Sequence, residues 1–501
     1  MNEEEQLGDL QALLNSPLFT GPDPTVVEDI KNEPEIEAKP VDPAEQLAHL
    51  AELDAEVSRI YRDILTRAPE HKVQPSTQRV RDCLNLMGDP QLSYRAVHIT
   101  GTNGKTSTAR MIEALLRERG LHTGRFTSPH LTSVRERIVI NGQAISREDF
   151  IQAWEDVAPF VEMVDQQSVA AGGPRMSFFE VFTVMAYQAF AFAPVDVAVV
   201  EVGMGGKWDA TNVIDAEVSV LMPVSKDHEK WLGYELTDIA TEKLGIVSPG
   251  ATLVCAGQKP EVMELVYNRV REQNAELLEY GKDIELLSRE MAVGGQMITV
   301  RTPAAVYEDV PVAMLGPYQG ENAAAAIAAA EAFFGGGALP GETVEHALMA
   351  TSSPGRMEVV KNAPLIIVDA AHNPAGAEAT LAALEESFPG SRVAVFSAMA
   401  DKDVETVLSV LEPAFEHVVV TQMDNDRAME LEDLEELATQ VFGSDRVSAE
   451  PQVDVAIMQA AELAQSLGGE VLAPSAVVVI GSIMLAAQAR IVLGRPAPDG
   501  A

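Results

Sequence analysis

Two α/β domains, each around a mainly parallel sheet, are what this sequence predicts, on three observations. From Arg95 onward, short β-branched runs alternate with helix-length segments. The first of these runs, Ala96-Val-His-Ile99, passes through the glycine-rich hexapeptide Gly101-Thr-Asn-Gly-Lys-Thr106 into a helical stretch starting at Ser107-Thr-Ala-Arg-Met-Ile. After Ser352-Ser-Pro-Gly-Arg356 the alternation starts afresh.

In chain order, residues 1–45 are acidic, proline-scattered and aperiodic, and read as a disordered tail. Helices are expected over Glu45–Arg67 and from Ser76, an N-cap with Val80, Cys83, Leu84 and Met87 at helical spacing. The strand, glycine turn and helix start at 96–107 make a phosphate cradle. Free N–H groups and partial positive charge gather at a helix N-terminus, and glycines let the backbone approach oxygen atoms. Lys105 would reach the terminal phosphates and Thr106 would help hold Mg²⁺. Ile99 stands where the general phosphate-loop pattern has its first glycine, which points to a subset of such loops.

Val195–Val200 reads as a central strand apolar on both faces, Ser177–Phe192 as a buried helix, Val169–Pro174 as a loop, and Asn322–Phe334 as a closely packed alanine-rich helix. Leu365–Val368, Val393–Phe396, Val418–Thr421 and Val477–Ile480 are the strands of the second unit. The expected organisation is a phosphate-loop ATPase domain over 46–351, a hinge at 352–357 and a smaller Rossmann-like α/β domain over 358–498.

The chain of 501 residues is 47% hydrophobic, with a formal charge of −40. Such a field disfavours nucleic acid and anionic membrane surfaces. No apolar run is long enough to span a bilayer. Two distant cysteines, Cys83 and Cys255, and a start lacking signal-peptide character fit a reduced cytoplasmic protein. Nothing in the pattern calls for an assembly, so a monomer is expected. Anionic substrates would need local positive charge, and Arg125, His130, Arg135 and Arg137 either supply it or pair with surface carboxylates.

Several residues carry two readings. Glu201, leaving an apolar strand before Val202-Gly-Met-Gly-Gly206, suits Mg²⁺ at the ligand edge of a parallel sheet, or a pair with Lys207. Asp209-Ala-Thr-Asn212 caps a turn or orients a substrate. His228, after Asp227, is structural or a metal ligand whose charged form is disfavoured by Lys226 and Lys230. Lys243 is on its face an ordinary helix lysine. Asp369 and His372, in Asp369-Ala-Ala-His-Asn-Pro374, cap the next helix or contact a ribose, amine or carboxylate.

Taken together these segments resemble the folylpolyglutamate synthase/dihydrofolate synthase family, a branch of the Mur ligase superfamily. The matching motifs are 101–107, Thr-Ser-Pro-His-Leu (127–131), Glu-Arg-Ile (136–138), Phe-Phe-Glu (178–180), Glu-Val-Gly-Met-Gly-Gly (201–206), Asp-Ala-Thr-Asn (209–212), Asp-His (227–228), Glu-Lys-Leu-Gly-Ile (242–246), Pro-Gly-Arg (354–356), 369–374 and Asp-Lys-Asp (401–403), in the family order. The resemblance implies an ATP-dependent ligase that adds L-glutamate through an acyl phosphate, either to folate alone or to both folate and dihydropteroate.

It implies ATP contacts from Gly101, Thr102, Asn103, Gly104, Lys105, Thr106, Ser107, Asn322, Arg356 and Asp369. Mg²⁺ at two sites would be held by Ser128, Glu201, His228 and Thr106, with Lys243 carbamylated by CO₂ near the second. Folate or dihydropteroate would lie along Val73, Gln74, Pro75, Ser76, Ser177, Phe178, Phe179, Glu180, Trp208, Asp209 and Ala210. Glutamate would meet Asp369, His372 and Ser482, and Lys105, Lys243 and His372 would carry the chemistry. Lys226 departs from the family's aliphatic residue before Asp-His, Leu244 from its alanine, and Gly481-Ser-Ile-Met484 matches its turn loosely. A peptidoglycan-type Mur ligase is disfavoured because the residues before Gly101 are too few for a separate UDP-binding domain. A nucleotide-hydrolysing binding protein is the rival of another class.

Overall fold

The computed structural model describes residues 43–69, 72, 74–468 and 474–501; the expected tail up to residue 42, and Val73, lie outside the described residues. Residues 43–45 belong to a helix, α1 (Pro43–Leu65), which therefore starts and ends two residues earlier than its sequence pattern. A proline at a first helical position costs no hydrogen bond, so Pro43 is a natural start. Helix α2 (Gln78–Leu86) follows; Thr77 rather than Ser76 is its N-cap, although the Ser76 hydroxyl accepts from the Gln78 amide at 3.0 Å.

An eight-stranded sheet has the order β4-β3-β2-β5-β1-β6-β7-β8. Its central strands are β5 (Val197–Glu201), β1 (Arg95–Thr100) and β6 (Val218–Leu221), paired in parallel. Beyond β5 lie β2 (Thr123–Phe126) and the antiparallel edge strands β3 (Ile138–Ile140) and β4 (Gln143–Ala144); beyond β6 lie β7 (Thr252–Cys255) and β8 (Glu276–Glu279). Side chains alternate along each strand, so Val197 and Val199 enter one core while Ala198 and Val200 enter another on the opposite face. Strand β5 begins at Val197 because Asp196 is spent outside it, its carboxylate accepting from the His122 amide at 2.7 Å.

The helix after the glycine turn, α3 (Lys105–Glu118), is buried from Ser107 to Leu116. Ala323–Ala330 of α4 (Pro317–Phe333) are buried in the same core, and their small side chains let α4 pack closely. Helix α4 starts five residues before the expected Asn322, with Gly316 as N-cap and Pro317 at its first position. The helix Arg147–Ala170 runs into the segment expected to be a loop, and Phe178–Phe192 is capped by Ser177. An antiparallel three-stranded sheet over β9 (Glu285–Ala292), β10 (Gly295–Arg301) and β11 (Val306–Val312) was not anticipated from the sequence pattern.

The second unit holds a six-stranded sheet of order β12-β13-β17-β14-β15-β16. The four expected strands are β13 (Leu365–Val368), β14 (Arg392–Phe396), β15 (His417–Thr421) and β17 (Ala476–Ile480). Two edge strands are additional: β12 (Glu358–Asn362), antiparallel, and β16 (Val447–Glu450). Alternation again feeds two cores, Val477 and Val479 on one face and Val478 and Ile480 on the other. The architecture is a two-domain α/β fold with each central sheet's C-terminal strand ends carrying the polar motifs.

Candidate active site

The glycine turn leaves β1 and caps α3. A Cβ on Gly101 would stand 2.5 Å from Met222 Cβ, and one on Gly104 (φ +87°) 2.8 Å from Asn322 Oδ1. Both positions demand glycine, and together they hold the loop in a shape that presents the first free amides of α3. The Lys105 ammonium turns back onto the loop, donating to the carbonyls of Gly101 and Thr102 at 3.1 Å each. Burial lowers its pKa, against the pull of Glu201 and Asp227. No carboxylate closes an ion pair with it among the described residues.

Glu201 ends β5 and is 1% exposed. Thr106 Oγ1 lies 3.0 Å from both its carboxylate oxygens, and the Ser128 amide donates to it at 3.4 Å. Burial raises its pKa, with Lys105, Thr106 and Ser128 resisting. Glu201 thus faces the cradle with a hydroxyl for company rather than a cation, and Lys207 is not its partner.

The turn after Glu201 ties three of the predicted positions together. The Asp209 carboxylate accepts from the amides of Met204 (2.9 Å) and Thr211 (3.0 Å) and from the Thr211 hydroxyl, so it organises the turn from within. Ala210 is buried beside it. The turn docks on the helix carrying Lys243: the Lys207 amide donates to the Glu242 carbonyl at 2.9 Å, and the Trp208 amide to the Glu242 carboxylate at 3.1 Å. Lys243 is buried, not an ordinary surface lysine, and donates to the Gly101 carbonyl at 2.8 Å. Burial, then the neighbouring Lys105, bring its pKa down to about 7.

Across the cleft stands a second group. Asp227 receives Lys402 Nζ at 2.6 Å and the Asn373 amide at 3.2 Å, with His372 Nε2 at 3.5 Å. Burial would raise the Asp227 carboxyl, but His372, His228 and Lys402 outweigh it and hold it well below the usual carboxylate range. Asn103 of the glycine turn and Asn373 exchange amide hydrogen bonds of 3.2 Å each, joining the two sheets' loops. His228, in a left-handed backbone conformation, keeps a low pKa first through burial and then through Lys402, His372 and Lys105. Lys226 and Lys230 are not the cause: Lys226 faces Glu229 at 3.5 Å, and Lys230 lies over the Trp231 ring.

Asp369 accepts from Met357 N, Ala371 N and Thr380 Oγ1, which fixes the start of its loop. His372 Nδ1 lies 2.9 Å from the Ala370 carbonyl, which can only accept, so that nitrogen carries the proton. Ser482 caps the helix after β17, and Asn322 donates to Gln319 at 3.0 Å. Arg356 is half-buried, and its charge reaches both Lys105 and Glu201.

The aromatic side of the site joins segments distant in sequence. Glu180 accepts from the Ser177 amide at 2.7 Å and pairs with Arg79 at 2.9 Å, and Arg79 donates to the Gln74 carbonyl. Pro75 and Ser76 follow on that strand of chain. Phe178 packs against Tyr61, and Phe179 against Gly203 of the turn. Arg79 lies one turn before Cys83 on the same face of α2, but a lone arginine near a cap carries no pattern of its own. Lys402 sat in a matched motif that was given no role.

The basic segment splits. Arg125 is buried and pairs with Glu113 (3.3 Å) and Asp499 (2.6 Å), and Arg135 donates to the Ile145 carbonyl at 2.7 Å. The carboxylate partners of Arg125 lie in the core rather than at the surface. Arg137 donates to His130 Nδ1 at 2.9 Å and lies over the rings of Phe178 and Phe182.

A turn that presents helix amides, a strand-end carboxylate without a cation and a facing α/β lobe define the class: a two-domain α/β ligase that works on a nucleotide. Family models agree, with the Mur ligase middle domain matching residues 177–330 and the Mur ligase glutamate ligase domain residues 355–483. The Mycobacterium tuberculosis dihydrofolate synthase/folylpolyglutamate synthase is 43% identical over 448 residues, 86% of this chain and 92% of the relative. A crystal structure of M. tuberculosis folylpolyglutamate synthase complexed with ADP and AMPPCP superposes with a TM-score of 0.85 at 41% identity, covering 89% of this chain and 100% of that one. An FPGS–AMPPCP–folate complex superposes with a TM-score of 0.74 at 29% identity, covering 87% and 99%. The chain belongs to the folylpolyglutamate synthase/dihydrofolate synthase family of Mur ligases.

Proposed function

We propose that this protein joins the α-amine of L-glutamate to a carboxylate of folate, and to dihydropteroate, with cleavage of ATP to ADP and phosphate. The observation that carries this reading is Lys105: an ammonium held on neutral carbonyls at a helix-capping glycine turn, next to Glu201, is prepared for an anion. The glycine-turn residues Gly101 to Ser107, with Asn322, Arg356 and Asp369, are assigned to the nucleotide. The boundary at 352–357 is read as the hinge between an ATPase domain (46–351) and a glutamate-ligase domain (358–498).

A free carboxylate does not acylate an amine, so activation comes first. The folate carboxylate attacks the γ-phosphorus, ADP leaves, and an acyl phosphate forms. The glutamate amine then attacks the acyl carbon, phosphate departs with the C–O bond, and the amine loses a proton. Lys105 and the α3 amides neutralise charge that builds on the phosphoryl oxygens. His372 and Ser482, on the facing lobe, orient glutamate, and Lys402 shares the Asp227 carboxylate with His372. Arg79, Glu180, Phe178, Phe179 and Trp208 shape the folate face.

Hard oxygen donors at Thr106, Ser128 and Glu201 fit Mg²⁺. One carboxylate is the usual protein share when phosphates complete the shell, and the described residues hold no group of three acidic, His or Cys side chains that would form a closed cage. His228 is assigned to a second ion. Bound there, Mg²⁺ would screen the phosphate charges from the incoming carboxylate. Lys243, whose pKa stands at about 7, offers a neutral amine that adds to CO₂, forming an N–C bond and releasing a proton, to leave a carbamate anion. The protein is taken to act as a cytoplasmic monomer; no described helix is long and apolar enough to cross a membrane.

Incubation with ATP, Mg²⁺, labelled glutamate and either dihydropteroate or tetrahydrofolate tests the proposal. Glutamate appears in a folate product in step with ADP. ATP turnover indifferent to folate, with no glutamate incorporated, contradicts it and supports the hydrolase reading.

A further inference from the structure

His98 sits in the middle of β1, fully buried among Ala96, Val97 and Ile99. An imidazole is a costly choice at a position where the neighbouring strand β5 carries valine in register, Val200. Its Nε2 lies 2.9 Å from Thr211 Oγ1, while Nδ1 has no hydrogen-bond partner. The proton positions follow from the partners. Asp209 is occupied as an acceptor by two backbone amides, so the Thr211 hydroxyl donates to it, at 2.5 Å. That hydroxyl has one hydrogen, so it must accept from His98, and Nε2 carries the proton. Nδ1 is then a bare lone pair, the less costly of the two ways to leave a ring nitrogen alone.

Thr211 is fixed from its other side as well, its carbonyl accepting from the Tyr187 hydroxyl at 2.7 Å. Thr100, two residues along β1, donates to the Gly205 carbonyl of the same turn at 2.8 Å. The turn that carries Trp208 is therefore held from beneath by a chain of donors that starts on the strand feeding the phosphate cradle.

We propose that His98 is a positioning residue for the folate face, setting the 203–211 turn through Thr211 and Asp209 so that Trp208 meets the substrate. This rests on the reading of that turn as folate-facing. Burial keeps the ring neutral, with a pKa pushed down to about 3, so the donor is present throughout the working pH range.

The test compares His98→Phe, His98→Gln and Thr211→Val with wild type, measuring KM for tetrahydrofolate and for ATP. Phe removes the donor at similar volume, Gln returns an N–H near the Nε2 position, and Val keeps the shape of Thr without its hydroxyl. His98→Phe and Thr211→Val each raise the folate KM about 10-fold, the worth of one buried hydrogen bond. ATP KM stays within about 2-fold, the double variant is no worse than either single one, and His98→Gln recovers most of the loss. An unchanged folate KM in both single variants, fully additive losses, or a Gln variant as poor as Phe overturns the proposal. If His98→Phe does not fold, the Thr211→Val result decides alone. Trp208→Ala separates the layers: no rise in folate KM there defeats the folate-facing reading, whereas a rise accompanied by silent His98 and Thr211 variants defeats the relay.

Discussion

Helix α3 carries a charge cluster at each of two levels, and the two are built on opposite terms. Toward its middle, Arg110, Glu113, Arg125 and Asp499 pair among themselves: Arg110 donates to both Asp499 oxygens at 2.8 Å, and Arg125 joins Glu113 to Asp499. Burial would raise the Asp499 carboxyl, but Arg125 and Arg110 hold it below its ordinary value. At the first turn, Lys105 and Lys243 rest on carbonyls, and Glu201 on a hydroxyl and an amide. In these two clusters the charge matched by charge is scaffolding and the charge left with neutral partners is a place for a ligand. The carboxylates separate the two: Asp499 is held down by its guanidinium partners, whereas burial pushes Glu201 up.

The sharpest way to break this contrast is Lys105→Met. Turnover should fall on the order of 10³-fold, as for other lost charge-stabilising donors. The melting temperature should hold or rise, because an ammonium without a counter-ion is removed. A drop in stability like that of a broken ion pair would place Lys105 in the scaffold instead.

Asp499→Asn should do the reverse. Leaving two buried guanidinium groups with only Glu113 should cost about 3 kcal/mol of unfolding free energy in a urea titration. The KM for ATP should move less than about 3-fold if the cluster is scaffold alone.

Lys243 sharpens the comparison through pH. Its folded pKa, about 7, lies below its unfolded value, so between pH 7 and 10 the unfolded chain binds more protons and this group makes stability rise with pH. Thermal unfolding of Lys243→Met, measured across that window without CO₂, should lack that part of the rise. An identical slope in the variant would mean the amine is not buried as described. The smallest effect is expected at Arg289, whose guanidinium spans to Glu386 of the second unit at 2.7 Å and 3.0 Å near solvent. Arg289→Ala should cost about 1 kcal/mol or less.

What could be read from the chain was local. The strand, glycine turn and helix at 95–118 are contiguous, so their pattern declares itself, as do the apolar strands β13, β14, β15 and β17. The sheet β9–β11 escaped because Glu285–Ala292 is charged and half-exposed, with little alternation to mark it; the glycine pair Gly294-Gly295, at the Val293-Gly294 turn into β10, was the available signal. Edge strands β12 and β16 escaped for the same reason. The place of Arg125 was left open because its partners, Glu113 and Asp499, come from elsewhere in the fold. The fate of Lys243 was legible only through family resemblance, since its burial depends on a turn that starts forty residues earlier.

The account's central claim is that the nucleotide answers the first-turn charges. A crystal grown with Mg²⁺ and a non-hydrolysable ATP analogue tests it most directly. The γ-phosphate should lie within hydrogen-bond reach of Lys105 Nζ and the α3 amides, with Lys105 released from the Gly101 and Thr102 carbonyls. A phosphate found against Arg110 and Arg125, or a turn whose lysine still holds its own carbonyls beside bound nucleotide, would contradict it.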